Sequence, residues 1–380
     1  MAFVSGPRQV GKTTTCRAVR RDAHYLDWDD QEDRRLILKG PKAVASALGL
    51  AQLREEPPVV VFDELHKHRR WKAFLKGLFD RYKEHARVVV TGSSRLDVYR
   101  RGGDSLMGRY LLYRMHPLSI GELLDPRGGD ELVRPPRRLS ARRFDVLWTH
   151  GGYPEPFTKA DARFSTRWRQ LRVQQLVRED VRDASRIQEL GQLEVLATLL
   201  ESGTARQLVY SKLARDVNIS VDTARRWVAT LASLHHGFLL RPWFRNVGKA
   251  LRKEPKWFLR DWSGVRELGQ RAETFVACHL LKAAELWTDL GFGDFELRYL
   301  RDKSKREIDF VMIRDRQPWF LVEVKVAETA LSPHLGHFQQ QVGAAHAFQV
   351  VLDLPFVAAD CFTRSDPCVV PLRTLLSQLP

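Results

Sequence analysis

Glycines, a lysine and hydroxyl residues occur near the start of the chain in the spacing of a phosphate-binding loop. The run GPRQVGKTT places Gly6, Gly11, Lys12 and Thr13 at the defining positions of the Walker A pattern. In such a loop, backbone N–H groups point at the phosphates, the lysine supplies positive charge to the β and γ phosphates, and the hydroxyl binds Mg²⁺. The residues expected to form the cradle are Gly6, Pro7, Arg8, Gln9, Val10, Gly11, Lys12, Thr13 and Thr14. The pattern predicts a site for ATP and Mg²⁺.

A strand-like apolar run that ends in two acids predicts the second half of this site. The run is VVVFDE at positions 59–64. Asp63 is expected to hold Mg²⁺ through water, and Glu64 to orient and polarise the attacking water as the catalytic carboxylate. The run alone would also suit a buried strand that meets a polar turn. Because a Walker A pattern precedes it, we interpret it as part of an ATP-hydrolysing site.

Three further residues in this part of the chain are candidates to contact the γ-phosphate. The run VVVTGSSR at positions 88–95 ends in hydroxyl residues, and Ser93 is the first choice and Thr91 the second for a polar sensor. The alternative is that these hydroxyls simply cap the end of a strand. Arg109 is a candidate arginine finger that would reach the γ-phosphate of a neighbouring subunit. It would equally suit the surface of this arginine-rich chain.

A second set of acids near the C-terminus has the D…ExK arrangement. Asp309 precedes the run LVEVKV at positions 321–326, which contains Glu323 and Lys325. Strand alternation puts Glu323 and Lys325 on one face and the valines on the other. Asp309 and Glu323 would hold Mg²⁺, or Mn²⁺ in its place, and Lys325 would position or activate the attacking water. The alternative is an ordinary salt bridge between Glu323 and Lys325 at a sheet face.

The elements that must position these residues form an α/β chain with four predicted segments. Residues 1–125 alternate short apolar runs with helical stretches, which predicts a parallel sheet around the phosphate loop. Residues 126–202 are predicted to be a linker rich in Pro, Gly and Arg, followed by helices. Residues 203–262 are predicted to form a helix-turn-helix and a β-hairpin, and residues 263–380 a helix and three strands.

The helix-turn-helix segment predicts a surface for DNA. Its second helix carries Arg225 and Arg226, and Lys249, Lys253 and Lys256 are expected around the tip of the hairpin that follows. A recognition helix with a neighbouring wing uses this layout on DNA. The same module also serves as a packing platform in other proteins, and that alternative stays open.

The composition favours a nucleic-acid partner and argues against a membrane protein. The 380 residues carry a formal net charge of +16, and arginine binds phosphate bidentately. The alternative is that this charge is merely solvated. The sequence shows no run of 18 uncharged apolar residues, no signal peptide, and no zinc or disulfide spacing among its four cysteines. We therefore expect a cytoplasmic protein without a membrane span.

These motifs resemble those of AAA+ ATPases and, more narrowly, of a large and mostly uncharacterised bacterial and archaeal family. Its members join an AAA+ module to a winged helix and a C-terminal restriction-endonuclease-like domain of the PD-(D/E)XK type. The matching runs are GPRQVGKTT, VVVFDELHK, VVVTGSSR, LMGRYLLYRMHPLSIGEL, GGYPEPF, EIDFV and LVEVK. The resemblance implies a helical lid after the ATPase core and a homo-oligomer, for example a hexamer.

The resemblance adds one site residue and one departure. Glu273 matches the additional helical glutamate of PD-(D/E)XK nucleases and is expected to join Asp309 and Glu323 at the metal. Family members usually have some tens of residues before the Walker A strand, whereas this strand begins at Ala2. Either the start codon is assigned late or adenine recognition is weak.

Two hypotheses about function are consistent with these motifs. In the first, ATP hydrolysis drives remodelling, translocation or branch migration of DNA, and the C-terminal domain binds or cuts DNA. In the second, the chain is a regulatory ATPase switch whose nuclease-like domain is an inactive binding module. Stimulation of ATP hydrolysis by DNA separates the two hypotheses, because only the first requires it.

Overall fold

A computed structural model describes residues 1–52, 54–92, 106–127, 131–180, 187, 189–243 and 254–380. The chain divides into two compact units, Met1–His116 and Pro117–Pro380. The first boundary lies close to the predicted end of the ATPase segment. The predicted limits of the other segments fall inside the second unit and stay predictions.

A parallel sheet forms the centre of the first unit. Its described strands run in the order β2-β3-β4-β1-β5. The strands are β1 (Ala2–Ser5), β2 (His24–Asp27), β3 (Val59–Asp63), β4 (Arg87–Gly92) and β5 (Leu111–Arg114). The helices are α1 (Lys12–Ala18), α2 (Gln31–Leu38), α3 (Pro41–Ala47) and α4 (Trp71–Tyr82). The apolar runs of the sequence predicted all five strands, with ends that agree to within one residue.

Both faces of this sheet are covered, which explains the continuous apolar runs of its strands. Alternate residues of β3 enter different clusters, because successive side chains of a strand point to opposite faces. Val60 and Phe62 pack in one cluster with Phe74 of α4, whereas Val59 and Val61 pack with Cys16 of α1. The sheet thereby holds the ends of β1, β3 and β4 at one edge, where the candidate site lies.

The second unit begins with helices. They are α5 (Ile120–Leu124), α6 (Ala141–His150), α7 (Pro154–Lys159), α8 (Ala162–Gln175) and α9 (Leu190–Ser202), and a π-helical segment, Leu176–Asp180, follows α8. The prediction of helices in residues 141–202 is confirmed. Phe144 and Leu147 of α6 share one apolar cluster with Phe275 of the long C-terminal helix. Helix α6 is therefore part of the C-terminal core.

The predicted helix-turn-helix elements are present. The helices are α10 (Tyr210–Val217) and α11 (Val221–Ser233), and the Ser220 hydroxyl caps α11 by accepting from the Thr223 N–H. A small antiparallel sheet follows in the order β6-β8-β7, with β6 (Arg206–Gln207), β7 (Gly237–Leu240) and β8 (Lys256–Leu259). The hairpin tip, with Lys249 and Lys253, lies outside the described residues. Assignment of the module as a winged helix stays a prediction.

A mixed sheet forms the C-terminal part of the second unit. Its described strands run in the order β13-β12-β11-β10-β9, antiparallel from β9 to β11 and parallel from β11 to β13. The strands are β9 (Phe295–Arg301), β10 (Glu307–Arg314), β11 (Gln317–Lys325), β12 (His346–Val351) and β13 (Cys368–Pro371). The helices are α12 (Leu268–Asp289), α13 (Pro333–Val342) and α14 (Leu372–Ser377). The first three strands were predicted, and β12 and β13 were missed.

Two helices cover opposite faces of this mixed sheet. Phe275 of α12 packs in one cluster with Phe310 and Val322, whereas Leu335 of α13 packs in another with Leu321. The alternation predicted for β11 is therefore confirmed at Leu321 and Val322. In the described part of the chain, no helix is long and apolar enough to cross a membrane.

Candidate functional site

The loop between β1 and α1 needs glycine for its close approach to a neighbouring strand end. Gly6 has a φ of 152° and Gly11 a φ of 101°, a region that favours glycine. A Cβ atom on Gly6 would lie 2.4 Å from the Met115 carbonyl oxygen, just beyond β5. The loop can therefore pass this strand end only with glycine at position 6.

Lys12 is the buried cation of the loop. Its side chain is only 7% exposed, and its Nζ donates to the carbonyl oxygens of Gly6 at 2.9 Å and Pro7 at 2.7 Å. Burial lowers the pKa of Lys12 to about 8, and the charges of Glu64 and Asp63 oppose this shift. The loop thus curls around an ammonium group that has no carboxylate within salt-bridge distance in the described structure, as a phosphate-binding lysine requires.

Asp63 lies at the end of β3, where hydroxyl groups from three other elements reach it. Its Oδ2 atom accepts from Thr13 Oγ1 at 2.8 Å and from the Tyr25 hydroxyl. Its Oδ1 atom accepts from the Thr91 hydroxyl and, at 3.1 Å, from the Glu64 backbone N–H. Burial alone would raise the pKa of Asp63, but these hydrogen bonds lower it overall. The carboxylate is therefore held charged beside Thr13.

Tyr25 was missed by sequence reasoning. It lies on β2, beside β3, and the register pairs Tyr25 with Val61, two residues before Asp63. The Arg17 guanidinium lies 4.3 Å from the centre of its ring. Burial and the neighbouring Asp63 carboxylate raise the pKa of Tyr25, so the hydroxyl remains a donor. The signal that could have indicated Tyr25 is its place in a short predicted strand between the phosphate loop and β3.

Glu64 follows Asp63 in a left-handed backbone conformation, with a φ of 52°. Its Oε2 atom lies 3.4 Å from Lys67 Nζ and 3.7 Å from His66 Nε2. Lys67 also pairs with Asp29 at 2.6 Å. Burial raises the pKa of Glu64, and the charge of Lys67 opposes the shift. Glu64 thus contacts Lys67 and His66, whereas the hydroxyl groups of other residues donate to the adjacent Asp63.

The structure describes two of the three candidates for contact with the γ-phosphate. Ser93 lies outside the described residues, and Thr91, the second choice, donates its hydroxyl to Asp63. Arg109 is partly exposed, and its Nε pairs with Asp80 of α4 at 2.7 Å. Its proposed contact with a neighbouring subunit stays a prediction.

Lys256 lies at the centre of the acidic residues of the C-terminal unit. It is the first residue of β8 and is only 4% exposed. Its Nζ atom lies 2.6 Å from Glu307 Oε1, 2.9 Å from Glu273 Oε1 and 3.5 Å from Asp309 Oδ1. Burial alone would lower the pKa of Lys256, but the three carboxylates raise it overall. Lys256, which was expected around the hairpin tip, thus begins β8 and directs its ammonium to buried acids rather than to solvent.

The D…ExK residues lie beside this lysine. Lys325 Nζ donates to Glu323 Oε1 at 3.0 Å, which confirms that these side chains share a face of β11. Asp309 Oδ2 accepts from the Val324 N–H at 2.9 Å and so joins β10 to β11. Burial, together with the charge of Asp309, raises the pKa of Glu323 to about 7 and that of Glu273 to about 8.

The expected metal set of Glu273, Asp309 and Glu323 is not supported. Among the residues that the structure describes, no group of three or more His, Cys, Asp or Glu side chains is placed to hold a metal ion. Glu273 and Asp309 instead meet at the Lys256 ammonium. This contact could not be predicted from local spacing, because Lys256 lies on β8, Glu273 on α12 and Asp309 on β10.

The expected DNA contacts on α11 are exposed. Arg225 and Arg226 both point away from the buried side of the helix, which carries Trp227. The Arg225 guanidinium lies 5.0 Å from the centre of the Tyr210 ring. The helix thus offers two arginines to a partner while its tryptophan fills the core.

Comparison with known proteins supports the first unit most directly. Residues 1–124 match a family model described as an AAA domain. This match supports an AAA+ ATPase core. The parallel sheet with its phosphate loop fits the P-loop core of such ATPases. Residues 141–272 and 268–353 match two models that are described as domains of unknown function.

The similar proteins do not add a function. An uncharacterized protein of Mycobacterium tuberculosis (Rv2008c) and one of Mycobacterium bovis (Mb2031c) are each 26% identical over 263 residues, 69% of this chain and 54% of theirs. The chain thus spans about half the length of these relatives.

Two solved structures show only a weak likeness. A structure of the Aeropyrum pernix ORC1 protein in complex with DNA has 16% identity and a TM-score of 0.30, with 73% of this chain and 87% of that chain covered. A structure of C. elegans PCH-2 has 14% identity and a TM-score of 0.23, with 61% of this chain and 59% of that chain covered. TM-scores this low do not establish a shared fold or function.

Proposed function

We propose that this protein binds ATP with Mg²⁺ at the Gly6–Thr14 loop and hydrolyses it. The observation that carries the proposal is the convergence of Lys12, Thr13, Asp63 and Glu64 at one edge of the parallel sheet. The match of residues 1–124 to an AAA domain supports it independently.

The residues at this edge suit a magnesium nucleotide. Thr13 and Asp63 offer a hydroxyl and a charged carboxylate, the oxygen ligands that Mg²⁺ prefers, and would hold the ion directly or through water. The bound ion would neutralise charge on the phosphates. Lys12 would bind the phosphates by charge, the loop N–H groups would orient them, and Tyr25 and Thr91 would fix the Asp63 carboxylate.

Glu64 is proposed as the residue that acts on water. Its carboxylate is adjacent to the Mg²⁺ ligand Asp63 but does not share that residue's hydroxyl donors. Its raised pKa makes it a stronger base than an exposed glutamate, which suits polarisation of an attacking water. Ser93 and Arg109 are proposed to complete the γ-phosphate contacts, Arg109 from a neighbouring subunit of a homo-oligomer such as a hexamer.

Nucleotide binding is tested with Lys12→Ala. Titration of ATP should show a large loss of affinity, because the loop loses its buried cation. Lys42→Ala is the matched control: it also removes a lysine from the first unit, but Lys42 is exposed on α3, outside the loop, and its loss should leave ATP affinity unchanged. Equal affinity of wild type and Lys12→Ala would remove the site assignment.

We further propose that the protein uses ATP hydrolysis to remodel DNA or move along it, in the cytoplasm. The net charge of +16 and the exposed pair Arg225 and Arg226 support a polyanionic partner, with Lys249 and Lys253 as further contacts. The rate of ATP hydrolysis should rise on addition of DNA. An unchanged rate at saturating DNA would favour the alternative, a regulatory ATPase switch.

The proposed role of the C-terminal domain is to bind rather than to cut DNA. Cleavage would need Mg²⁺ or Mn²⁺ at Glu273, Asp309 and Glu323, with Lys325 beside the attacking water. The contacts of Lys256 with Glu273 and Asp309 favour the inactive binding module. The test is incubation of linear, forked and four-way DNA with each metal, and metal-dependent cleavage that Glu323→Ala abolishes would contradict the binding role.

A further inference from the structure

We propose that Lys256 is the resident cation of the C-terminal acidic cluster and prevents a divalent metal from binding there. We define this cluster as Glu273, Glu307, Asp309 and Lys256. The proposal concerns the second unit alone and does not depend on ATP hydrolysis in the first.

The ammonium group matches the three carboxylates in number. A lysine has three N–H donors and no acceptor. One carboxylate oxygen from each of Glu273, Glu307 and Asp309 lies 2.6–3.5 Å from Lys256 Nζ. A Mg²⁺ or Mn²⁺ ion would have to collect oxygens around the same point at about 2.0–2.1 Å, the spacing that Mg²⁺ requires. The positive charge of the lysine would repel it.

The backbone of Lys256 is fixed, so the ammonium cannot easily leave. Lys256 lies between Gln207 of β6 and Leu240 of β7 in the small sheet. Its side chain is only 4% exposed and passes 5.6 Å from the centre of the Tyr299 ring. Movement of the ammonium into water would leave the largely buried carboxylates of Glu273 and Asp309 without their paired cation, which is unfavourable.

The lysine also joins three elements of the second unit. It extends from β8 to Glu273 on α12 and to Glu307 and Asp309 on β10. Glu307 is shared with Arg301 of β9, whose Nη1 lies 2.8 Å from Glu307 Oε2. Among the described residues, Lys256 is the cation within 4 Å of both Glu273 and Asp309. Its removal therefore leaves these two carboxylates without a cation within 4 Å in the described structure.

Replacement of Lys256 with a neutral residue should convert the cluster into a divalent-cation site. Lys256→Met keeps much of the side-chain volume but leaves Glu273, Glu307 and Asp309 around an uncharged gap. We expect the variant to have a lower Tm than its parent without metal and to regain stability in Mn²⁺, because a ligand that binds only the folded state raises Tm.

The experiment uses the full chain with Asp63→Asn as the parent, so that the candidate nucleotide site contributes no Mn²⁺ ligand from this residue. Mn²⁺ binding is measured by electron paramagnetic resonance, and Tm with and without millimolar Mn²⁺, in the absence of nucleotide. We expect no bound Mn²⁺ and no Tm shift in the parent, but bound Mn²⁺ and a Tm rise of several degrees in Lys256→Met. Lys282→Met is the matched control, because Lys282 is also a buried lysine of the second unit but pairs with Glu122 and not with the cluster. It should behave as the parent does.

Two results would overturn the proposal. One is Mn²⁺ binding by the parent that Glu273→Gln or Asp309→Asn abolishes. The other is a Lys256→Met variant with the Tm of its parent and no bound Mn²⁺. If Lys256→Met does not fold, the double variant Lys256→Met/Glu273→Gln should fold at least partly, because it removes one uncompensated charge. A double variant no better folded than the single variant would also contradict the resident-cation role.

Discussion

At the residue scale, Asp63 shows how a carboxylate proposed to hold Mg²⁺ is fixed by groups that are distant in sequence. Thr13 belongs to α1, Tyr25 to β2 and Thr91 to β4, and all three donate to the same carboxylate. The sequence motifs predicted both Thr13 and Asp63. Thr13 lies two residues after Gly11 of the phosphate loop, and Asp63 ends the apolar run of β3. These motifs could not indicate that Tyr25 reaches Asp63, since that contact depends on which strand lies beside β3.

Tyr25→Phe should weaken binding of the magnesium nucleotide without unfolding the protein. The ring and its contact with Arg17 are kept, but Asp63 loses one hydrogen bond. Hydrogen bonds to charged groups contribute about 1.5–3 kcal/mol, so the affinity for Mg²⁺–ATP should fall by about tenfold or more. The measurement is ATP affinity in Mg²⁺ and in EDTA, and a loss of equal size in both would show that Tyr25 does not act through the Mg²⁺ ligand.

At the element scale, apolar patterning predicted most of the strands but missed two of them. The run VVVFD is buried throughout and forms β3 as expected. Strands β12 and β13 were missed, because HAFQVV and CVVP are short and show neither alternation nor clear turn signals. Lys256 was misplaced for a related reason. A lysine after a basic, proline-containing stretch suggests exposure, and only the packing of β8 against α12 and β10 shows that it is buried.

The helix α11 leads to a prediction about DNA binding. The double variant Arg225→Ala/Arg226→Ala should reduce the slope of log K against log salt by about 0.9 for each phosphate contact that is lost on duplex DNA. Arg163→Ala/Arg167→Ala is the matched control, because these arginines are also exposed but lie on α8. Titration of labelled DNA at several salt concentrations gives both slopes. Equal slopes for wild type and the α11 variant would assign this module to packing.

At the scale of the whole molecule, Arg109 is the residue that we propose to connect the ATPase site to assembly. In one chain it pairs with Asp80 and is partly exposed. If it completes a neighbour's site, Arg109→Ala should depress ATP hydrolysis by about 10³–10⁵-fold and leave ATP binding intact. Asp80→Asn removes the pair but keeps the arginine, and should retain hydrolysis.

Mixed oligomers provide the decisive control for this prediction. Arg109→Ala supplies an intact Glu64, and Glu64→Gln supplies an intact Arg109. Subunits of the two variants, mixed in an assembly verified by mass measurement, should recover part of the wild-type rate. Equal loss of activity in Arg109→Ala and Asp80→Asn, with no recovery on mixing, would show that the arginine acts only through its pair with Asp80.

ATP turnover by Glu64→Gln tests the central claim most directly. The substitution keeps the shape of the side chain and the contacts of Lys12, Thr13 and Asp63, but removes the carboxylate that would polarise water. We predict that the variant binds Mg²⁺–ATP with wild-type affinity and hydrolyses it about 10²–10⁴-fold more slowly, the usual contribution of a general base. Hydrolysis by Glu64→Gln at the wild-type rate, or the absence of ATP binding and hydrolysis in the wild type, would contradict the account.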